Sequence, residues 1–378
     1  MTDRLTREEE NVMRQECMRK ELYKCFAMPA FYVLLLFSLG FNLFLLYDGL
    51  AYKMEVIHYD AALLKGEPAL FAESYESDAY QKLDMQEVFS LAAGDVGYGN
   101  LTEHLIRKQY ARLQKRADSM TEEEKNSLTF TGEDHLHAFL FEYYTKAICV
   151  ESVLIVLLIF VYSLHYERMY QTEELVLATK CGKEIYAVKD RAAAYVSLLL
   201  LALLWTVSYG IYFVLVDYSC IWLSGISSSY NAFRRTVNGM YLCYYPCVTW
   251  VPFSFVQYFI ANLFVVLGIL AVVMLYVSFL AKKIKHTLAL LMLFFISTAL
   301  LYVVGNMLPV SGPLEYVCKL NPVHLVTKCG YWFMDYAPGD TYPIYECLTL
   351  FVWGTAGLLL NCPVHIPVAG QIPLLQEH

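Results

Sequence analysis

Six apolar runs, separated by polar and charged segments, dominate the hydrophobic pattern of this sequence. They are Ala27–Tyr47, Ile148–Leu164, Ala192–Val216, Phe253–Ala281, Leu288–Leu308 and Tyr345–Asn361. Each is long enough, or nearly so, to cross a hydrocarbon core of about 30 Å as an α-helix. The sixth is short and runs into Pro363, which leaves its inner end undefined. The pattern predicts an α-class polytopic membrane protein with six transmembrane helices.

Basic residues set the predicted orientation of these helices. They cluster in residues 1–26, in the loop 165–191 and at Lys282–Lys285, and they alternate along the chain with connections poor in Lys and Arg. Because short basic loops stay in the cytoplasm, the N-terminus is predicted to be cytoplasmic. No small-x-small cleavage site follows the first run, so we expect a retained anchor rather than a cleaved signal peptide. The expected location is the plasma membrane, with several passes.

The segment 48–146 is predicted to be a single large extracellular insertion between helices 1 and 2. It holds 18 Asp and Glu against 10 Lys and Arg. Leu101–Arg116 has helix-like apolar spacing at Leu101, Leu105, Tyr110 and Leu113, which favours a small, mainly helical domain. A partly disordered acidic loop is the alternative. The full division is a cytoplasmic elbow 1–26, helix 1 at 27–47, this domain, and helices 2–6 at 147–378 with outside loops 217–252 and 309–344.

Composition and motifs bear on the chemistry of the chain. At 378 residues, 58% hydrophobic and 17% charged, it is too apolar for an ordinary soluble domain. It carries no phosphate-binding loop, zinc-protease or serine-hydrolase motif, so a non-catalytic protein without its own cofactor is expected. The best metal candidate, Glu133–His137 with His104, places two His at i and i+2, which do not share a helix face. We therefore predict no metal site.

The predicted membrane helices lack ionisable residues in their interiors. Glu151 and Glu346 lie near predicted outer ends. Ion-coupled carriers usually need such residues at membrane depth, because coupling is proton or ion binding there. Their absence favours a protein whose energy comes from outside the membrane part.

The loop 165–191 contains a predicted amphipathic helix, Thr172–Lys180, closed by Gly182. A helix at the mouth between two spans is a place where a soluble partner could push on a transporter. The bland alternative is a topology-setting connector with solvated charges.

Four stretches resemble one family. Glu16–Asp48 resembles a passage from a cytoplasmic elbow into a first span, and TKCGKEIYAVK within Glu167–Lys189 resembles a basic first cytoplasmic loop. Tyr230–Ala281 and Cys318–Tyr345 are similar to outside loops and a fourth span. Together they look like the permease subunit of a type-2 ATP-binding-cassette (ABC) exporter, in the bacterial form with a large insertion after the first span. Cys181 stands where that pattern has a basic residue, and Gln171 near where it often has glycine.

This resemblance implies a function and a set of partners. The loop would be the coupling helix that sits in a groove of a separate ABC ATPase subunit, which binds ATP and Mg. A second permease copy or a related permease would complete a dimer in the lipid bilayer, and no nucleic acid is expected. The residues implied at the ATPase contact are Glu173, Glu174, Leu175, Lys180, Gly182 and Lys183. The alternative function is a membrane-anchored sensor or interaction protein that binds a ligand through its acidic extracellular domain.

Overall fold

The computed structural model describes residues 2–64, 84–85, 100–121, 137, 139–178, 185–216, 218, 222–223, 225–226, 231–235, 241–246, 248–307, 313–334 and 344–362. This part of the chain is almost entirely helical. Within the described residues, five helices are long and apolar enough to cross a membrane, at Pro29–Gly49, Phe139–Met169, Ile185–Leu215, Phe255–Lys283 and Thr287–Asn306. The chain has the architecture of a multi-pass membrane protein.

At one end of the helix bundle, consecutive helices are joined by short connections. The helices are α1 (Thr2–Phe26), α2 (Pro29–Leu64), α3 (Asn100–Asp118), α4 (Thr145–Met169, continuous with a π-helical turn Phe139–Tyr144), α5 (Glu173–Leu177), α6 (Ile185–Leu215), α7 (Phe255–Lys283), α8 (Thr287–Asn306), α9 (Pro313–Lys319), α10 (Pro322–Thr327) and α11 (Tyr345–Asn361). Two antiparallel strands, β1 (Asn231–Arg235) and β2 (Tyr241–Pro246), form a hairpin inside the predicted outside loop 217–252. The sequence analysis predicted no strand there.

Helix α4 lies at the centre of the packing. It packs against α2, α6 and α7, and 61% of its most apolar stretch is buried, compared with 17% for α8. An apolar helix that is buried on most sides packs against protein, whereas one that exposes apolar side chains faces lipid or a partner. Helix α8 is therefore peripheral in this chain.

The helices coincide most closely with the predicted apolar runs for the fourth, fifth and sixth runs, and they extend beyond the first three. The sixth run, Tyr345–Asn361, is helical over the predicted range, but at 17 residues it falls below the length of the five long helices. Helix α2 continues to Leu64, beyond the predicted start of the extracellular domain. The helix of the second run extends from Phe139 to Met169, on both sides of the predicted Ile148–Leu164. Six membrane crossings and the extracellular placement of 48–146 stay predictions.

Glu151 lies well inside the long helix that contains the second apolar run. It follows Phe139 by twelve residues, about 18 Å along a helix that rises about 1.5 Å per residue. Glu142 and Lys146 lie between the start of this helix and Glu151. The position of Glu151 relative to the outer end of a span stays a prediction.

Helix α3 is the part of the predicted extracellular domain that the structure describes best. Its buried side chains recur at helical spacing, at Ile106, Tyr110, Leu113 and Ala117, and they share a cluster with Leu46 of α2 and Tyr212 of α6. The predicted helix is confirmed, but Leu105 is 42% exposed and Ile106 takes its place in the core.

One glycine, in the turn that follows α10, adopts a backbone conformation that favours glycine. Gly330 adopts φ +103°, in the region that L-residues rarely occupy. Its carbonyl oxygen accepts a hydrogen bond of 3.0 Å from the buried Tyr258 hydroxyl, and the backbone and side chain of Glu142 fill the space where a Cβ would lie. A side chain at this position would both strain the backbone and displace Glu142.

Candidate functional site at the basic end of the bundle

The segments predicted to be cytoplasmic meet at one end of the helices, which we call the basic end. There the C-terminal ends of α1, α4, α7 and α11 lie beside the first turns of α6 and α8. Polar contacts join them: Lys24 of α1 contacts Glu167 of α4, and Lys282 of α7 contacts Asp190 of α6. The basic clusters thus share one end, as the predicted topology requires.

The short helix α5 lies in the turn between α4 and α6. Its first residue, Glu173, accepts hydrogen bonds from Arg168 Nε at 2.9 Å and from the Tyr186 hydroxyl at 2.6 Å. These donors stabilise the carboxylate. The hydrogen bond from Tyr186, followed by the hydrogen bond and the charge of Arg168, holds the pKa of Glu173 below its ordinary value of 4.5. Glu173 therefore fastens α5 to the ends of two long helices.

Arg168 joins α5 to a third long helix. Its Nη1 donates to the carbonyl oxygens of Ala281 at 2.8 Å and Ile284 at 3.0 Å, where α7 ends, and its Nη2 donates to the Tyr186 hydroxyl at 3.0 Å. A cation at the C-terminus of a helix satisfies carbonyl groups that have no partner within the helix and complements the helix dipole. With 13% of its side chain exposed, Arg168 of α4 is held in one geometry by contacts with α5, α6 and the end of α7.

His165 extends this junction by one turn of α4. Its ring nitrogens lie 3.0 Å from Thr287 Oγ1 and 3.2 Å from the Ala281 carbonyl oxygen. The side chain is buried, and it connects α4 with the connection between α7 and α8. A displacement of α5 would therefore act on α4, α6, α7 and α8 through Glu173, Arg168 and His165.

The predicted contact residues divide into three groups. Glu173 lies within the junction just described. Glu174 is exposed, and Leu175 is 71% exposed and points away from the bundle core. Lys180, Gly182 and Lys183 lie outside the described residues, as does the end of the predicted helix Thr172–Lys180. The structure places Glu174 and Leu175 on a free surface of α5 at the basic end.

The turn that leads into α5 has a backbone conformation that glycine favours. Gln171 adopts φ +56°, the left-handed conformation, where α4 ends. Its backbone N–H donates to the Arg168 carbonyl oxygen at 3.2 Å, and the backbone N–H of Thr172 donates to the carbonyl oxygen of Glu167 at 2.8 Å. The sequence analysis noted Gln171 where the resembling pattern often has glycine. The conformation explains why glycine would suit this position.

A second polar cluster, beneath α5, is built from buried charges. The carboxylate of Glu167 pairs with Lys189 of α6 and with Lys24 of α1, the latter at 2.8 Å, and Lys24 also contacts Glu21 at 2.6 Å. Lys189 is 2% exposed and donates to the Ser163 carbonyl oxygen at 3.0 Å. Buried charges persist when they are paired and hydrogen-bonded, as these are. The cluster fixes α1 against α4 and α6.

Sequence reasoning missed Arg168, Glu167 and Lys189 as structural residues, since it used the basic ones only to orient the spans. One signal was available. His165 and Arg168 are three residues apart and so share a face at the end of an apolar helix. Charged residues that flank an apolar run are usually interpreted as solvent-exposed, because the sequence does not show which neighbouring helix they contact.

Only part of the metal candidate Glu133–His137 lies among the described residues. Glu133–Leu136 lie outside the described residues. His137 is buried among aromatic rings, with its ring stacked on Tyr218 at 5.7 Å and tilted against Phe255 at 4.9 Å. Among the described residues, no three His, Cys, Asp or Glu side chains group as metal ligands would.

No protein-family model, curated protein or solved structure matches this chain.

Proposed function

We propose that this chain is the membrane-spanning permease subunit of an ABC-type exporter of the plasma membrane, driven by ATP hydrolysis on a separate subunit. The observation that carries the proposal is the form of α5: a short helix at the basic end that exposes Leu175 and Glu174 while Glu173 ties it to the long helices. A partner that docks on α5 would be mechanically connected to four spans. The chain itself supplies no phosphate loop, so a partner must hydrolyse the nucleotide.

An exposed leucine on a polar cytoplasmic loop supports docking. Helices of five residues are marginal in water and persist through packing or tertiary hydrogen bonds. Here the bonds of Glu173 hold the helix in place, so Leu175 is presented on a preformed surface. Apolar anchors of this kind dominate interface energies when they enter a pocket.

The helix α5, rather than the composition of the spans, supports an energy source outside the membrane part. Glu151 lies inside the long helix of the second run, so a lack of ionisable groups at membrane depth does not by itself separate this chain from ion-coupled carriers. What remains is the fixed helix at the basic end, the resemblance of Glu167–Lys189 to a coupling loop, and the lack of a nucleotide motif on the chain.

The test is recovery of the partner with variants of α5. Leu175→Asp and Glu174→Lys should each reduce the amount of phosphate-loop ATPase that co-purifies at matched expression. For Leu175→Asp the reduction should be about tenfold or more, because a charge in an apolar pocket is costly. For Glu174→Lys the cost comes from like charges that meet at the interface. Leu223→Asp is a matched control, since Leu223 is 86% exposed near the opposite end of α6. Undiminished recovery of an active complex with both α5 variants would leave α5 as a topological connector.

A second variant separates docking from transmission. Arg168→Gln removes the cation that joins α5 to the end of α7 but leaves the exposed face of α5 unchanged. We expect the ATPase subunit to be recovered with this variant, while its hydrolysis is no longer stimulated by transported substrate. Loss of recovery to the same degree as with Leu175→Asp would show that Arg168 acts only by folding the loop.

A further inference from the structure

Glu151 is set apart from the other carboxylate in the same membrane helix. Glu167 contacts two lysines, whereas Glu151 accepts one hydrogen bond, of 2.8 Å, from the neutral amide of Asn42. Among the described residues, no Lys or Arg forms an ion pair with Glu151. An ionised carboxylate at membrane depth without a cation is strongly unfavourable, and such a group either pairs or takes up a proton.

The partly exposed side chain of Glu151 belongs to a chain of hydrogen bonds that joins three elements. Asn42 of α2 is 1% exposed and also donates, at 3.1 Å, to the hydroxyl of Ser208 in α6, which is 2% exposed. The Tyr144 hydroxyl, in the turn before α4, donates to the Ser208 carbonyl oxygen at 3.0 Å. Of the described groups that face Glu151 from these elements, Asn42 and Ser208 do not titrate, and the phenol of Tyr144 is neutral and already donating. None supplies a positive charge.

The amide of Asn42 is oriented toward an acceptor. Both contacts of its Nδ2 are donated, one to Glu151 and one to Ser208, while its buried Oδ1 has no hydrogen-bond partner in the described structure. The carbonyl oxygen of a protonated carboxyl accepts such a bond without carrying a charge. The amide thus fixes the carboxyl of Glu151 in place but does not neutralise it.

We propose that Glu151 is a reversible proton-binding site within the membrane helices, positioned by Asn42, and that it is protonated at neutral pH. The step is the addition of one proton to a carboxylate oxygen, forming one O–H bond and raising the charge of the site by one. Movements that admit water between α2 and α4 would solvate the carboxylate and release this proton. The inference rests on α4 lying in a bilayer and does not depend on the proposed ATPase partner.

Infrared difference spectroscopy of the full chain in lipid nanodiscs tests the site. The spectrum of the wild type minus that of Glu151→Gln should show, at neutral pH, the carbonyl band of a protonated carboxyl, and this band should disappear reversibly in alkali. Glu167→Gln is the matched control. Its difference spectrum should show an ionised carboxylate, since two lysines hold that charge.

A third variant keeps the carboxyl and removes its donor. Asn42→Leu should shift the protonated carboxyl band to higher frequency, because the carbonyl oxygen loses its hydrogen bond. This variant also decides the question if Glu151→Gln does not insert. An ionised band for Glu151 at neutral and mildly acidic pH, or a protonated band that does not move in Asn42→Leu, would overturn the proposal.

Discussion

Replacing Lys189 with methionine tests the buried charge cluster at the basic end. The substitution keeps most of the side-chain volume but removes the ammonium group that pairs with Glu167 and donates to Ser163. The carboxylate of Glu167, with 5% of its side chain exposed, would then have Lys24 as its remaining cation. Lys24 is 28% exposed and already shared with Glu21, so it compensates only in part.

The size of the effect follows from the desolvation of Glu167. Removing one partner of a buried ion pair costs about 3–5 kcal/mol, because a buried charge is left behind. The remaining contact with Lys24 places Lys189→Met at the lower end, about 3 kcal/mol. The double variant Glu167→Gln, Lys189→Met removes both charges, so no buried charge loses its nearest partner and the cost should be well below that of the single variant. The double variant is therefore expected to be more stable than the single one.

The assay is the free energy of unfolding of the purified chain in mixed detergent micelles, followed by denaturant titration. Lys283→Met, at an exposed position of the same end, is the control and should change stability by no more than about 0.5 kcal/mol. The reasoning is refuted if Lys189→Met is as stable as this control. It is also refuted if the double variant is as unstable as Lys189→Met, since the loss would then not come from an unpaired Glu167.

Three further predictions concern other parts of the chain. The pKa of Glu173 is lowered in the folded state, so its ionised carboxylate stabilises the fold above pH 4.5. This stabilisation is lost as the pH falls through the pKa of the folded state. The melting temperatures of wild type and Glu173→Gln should therefore converge below pH 4.5. Gly330→Ala should destabilise the chain by about 1–3 kcal/mol in the same unfolding assay, since alanine is strained at φ +103°; an unchanged midpoint would show that the loop relaxes without loss. In intact cells, an impermeant thiol reagent should modify a cysteine engineered at Ser119 and not one at Lys183, and the reverse pattern would invert the topology.

The sequence predicted the apolar helices well, because a long apolar run has few alternatives to a membrane helix. The sixth run is helical over the predicted residues, and the third, fourth and fifth differ mainly by a turn or two at their ends. The second began too late because the turn Phe139–Tyr144 contains Glu142 and two tyrosines, which lower its hydropathy. Its apolar side chains are nevertheless buried against α2, α6 and α7. Hydropathy measures preference for lipid and does not detect packing against protein.

The sequence predicted a helix in the loop after α4 but not the contacts that hold it. The loop 165–191 does contain a short helix, and Leu175 and Glu174 are exposed on it. The residues that fix this helix could not be identified from the sequence, because Arg168 acts through carbonyl oxygens of Ala281 and Ile284, more than a hundred positions away. Backbone acceptors carry no sequence signal.

The most direct test of the proposed function is purification of the tagged chain from its own cell membrane in mild detergent, followed by assay of Mg-dependent ATP hydrolysis. The account predicts that a separate subunit with a phosphate loop accompanies the wild-type chain, that the complex hydrolyses ATP, and that hydrolysis disappears when this subunit is stripped away. Hydrolysis by the stripped chain alone would contradict the account. So would a wild-type preparation, with α5 intact, in which no such subunit is present.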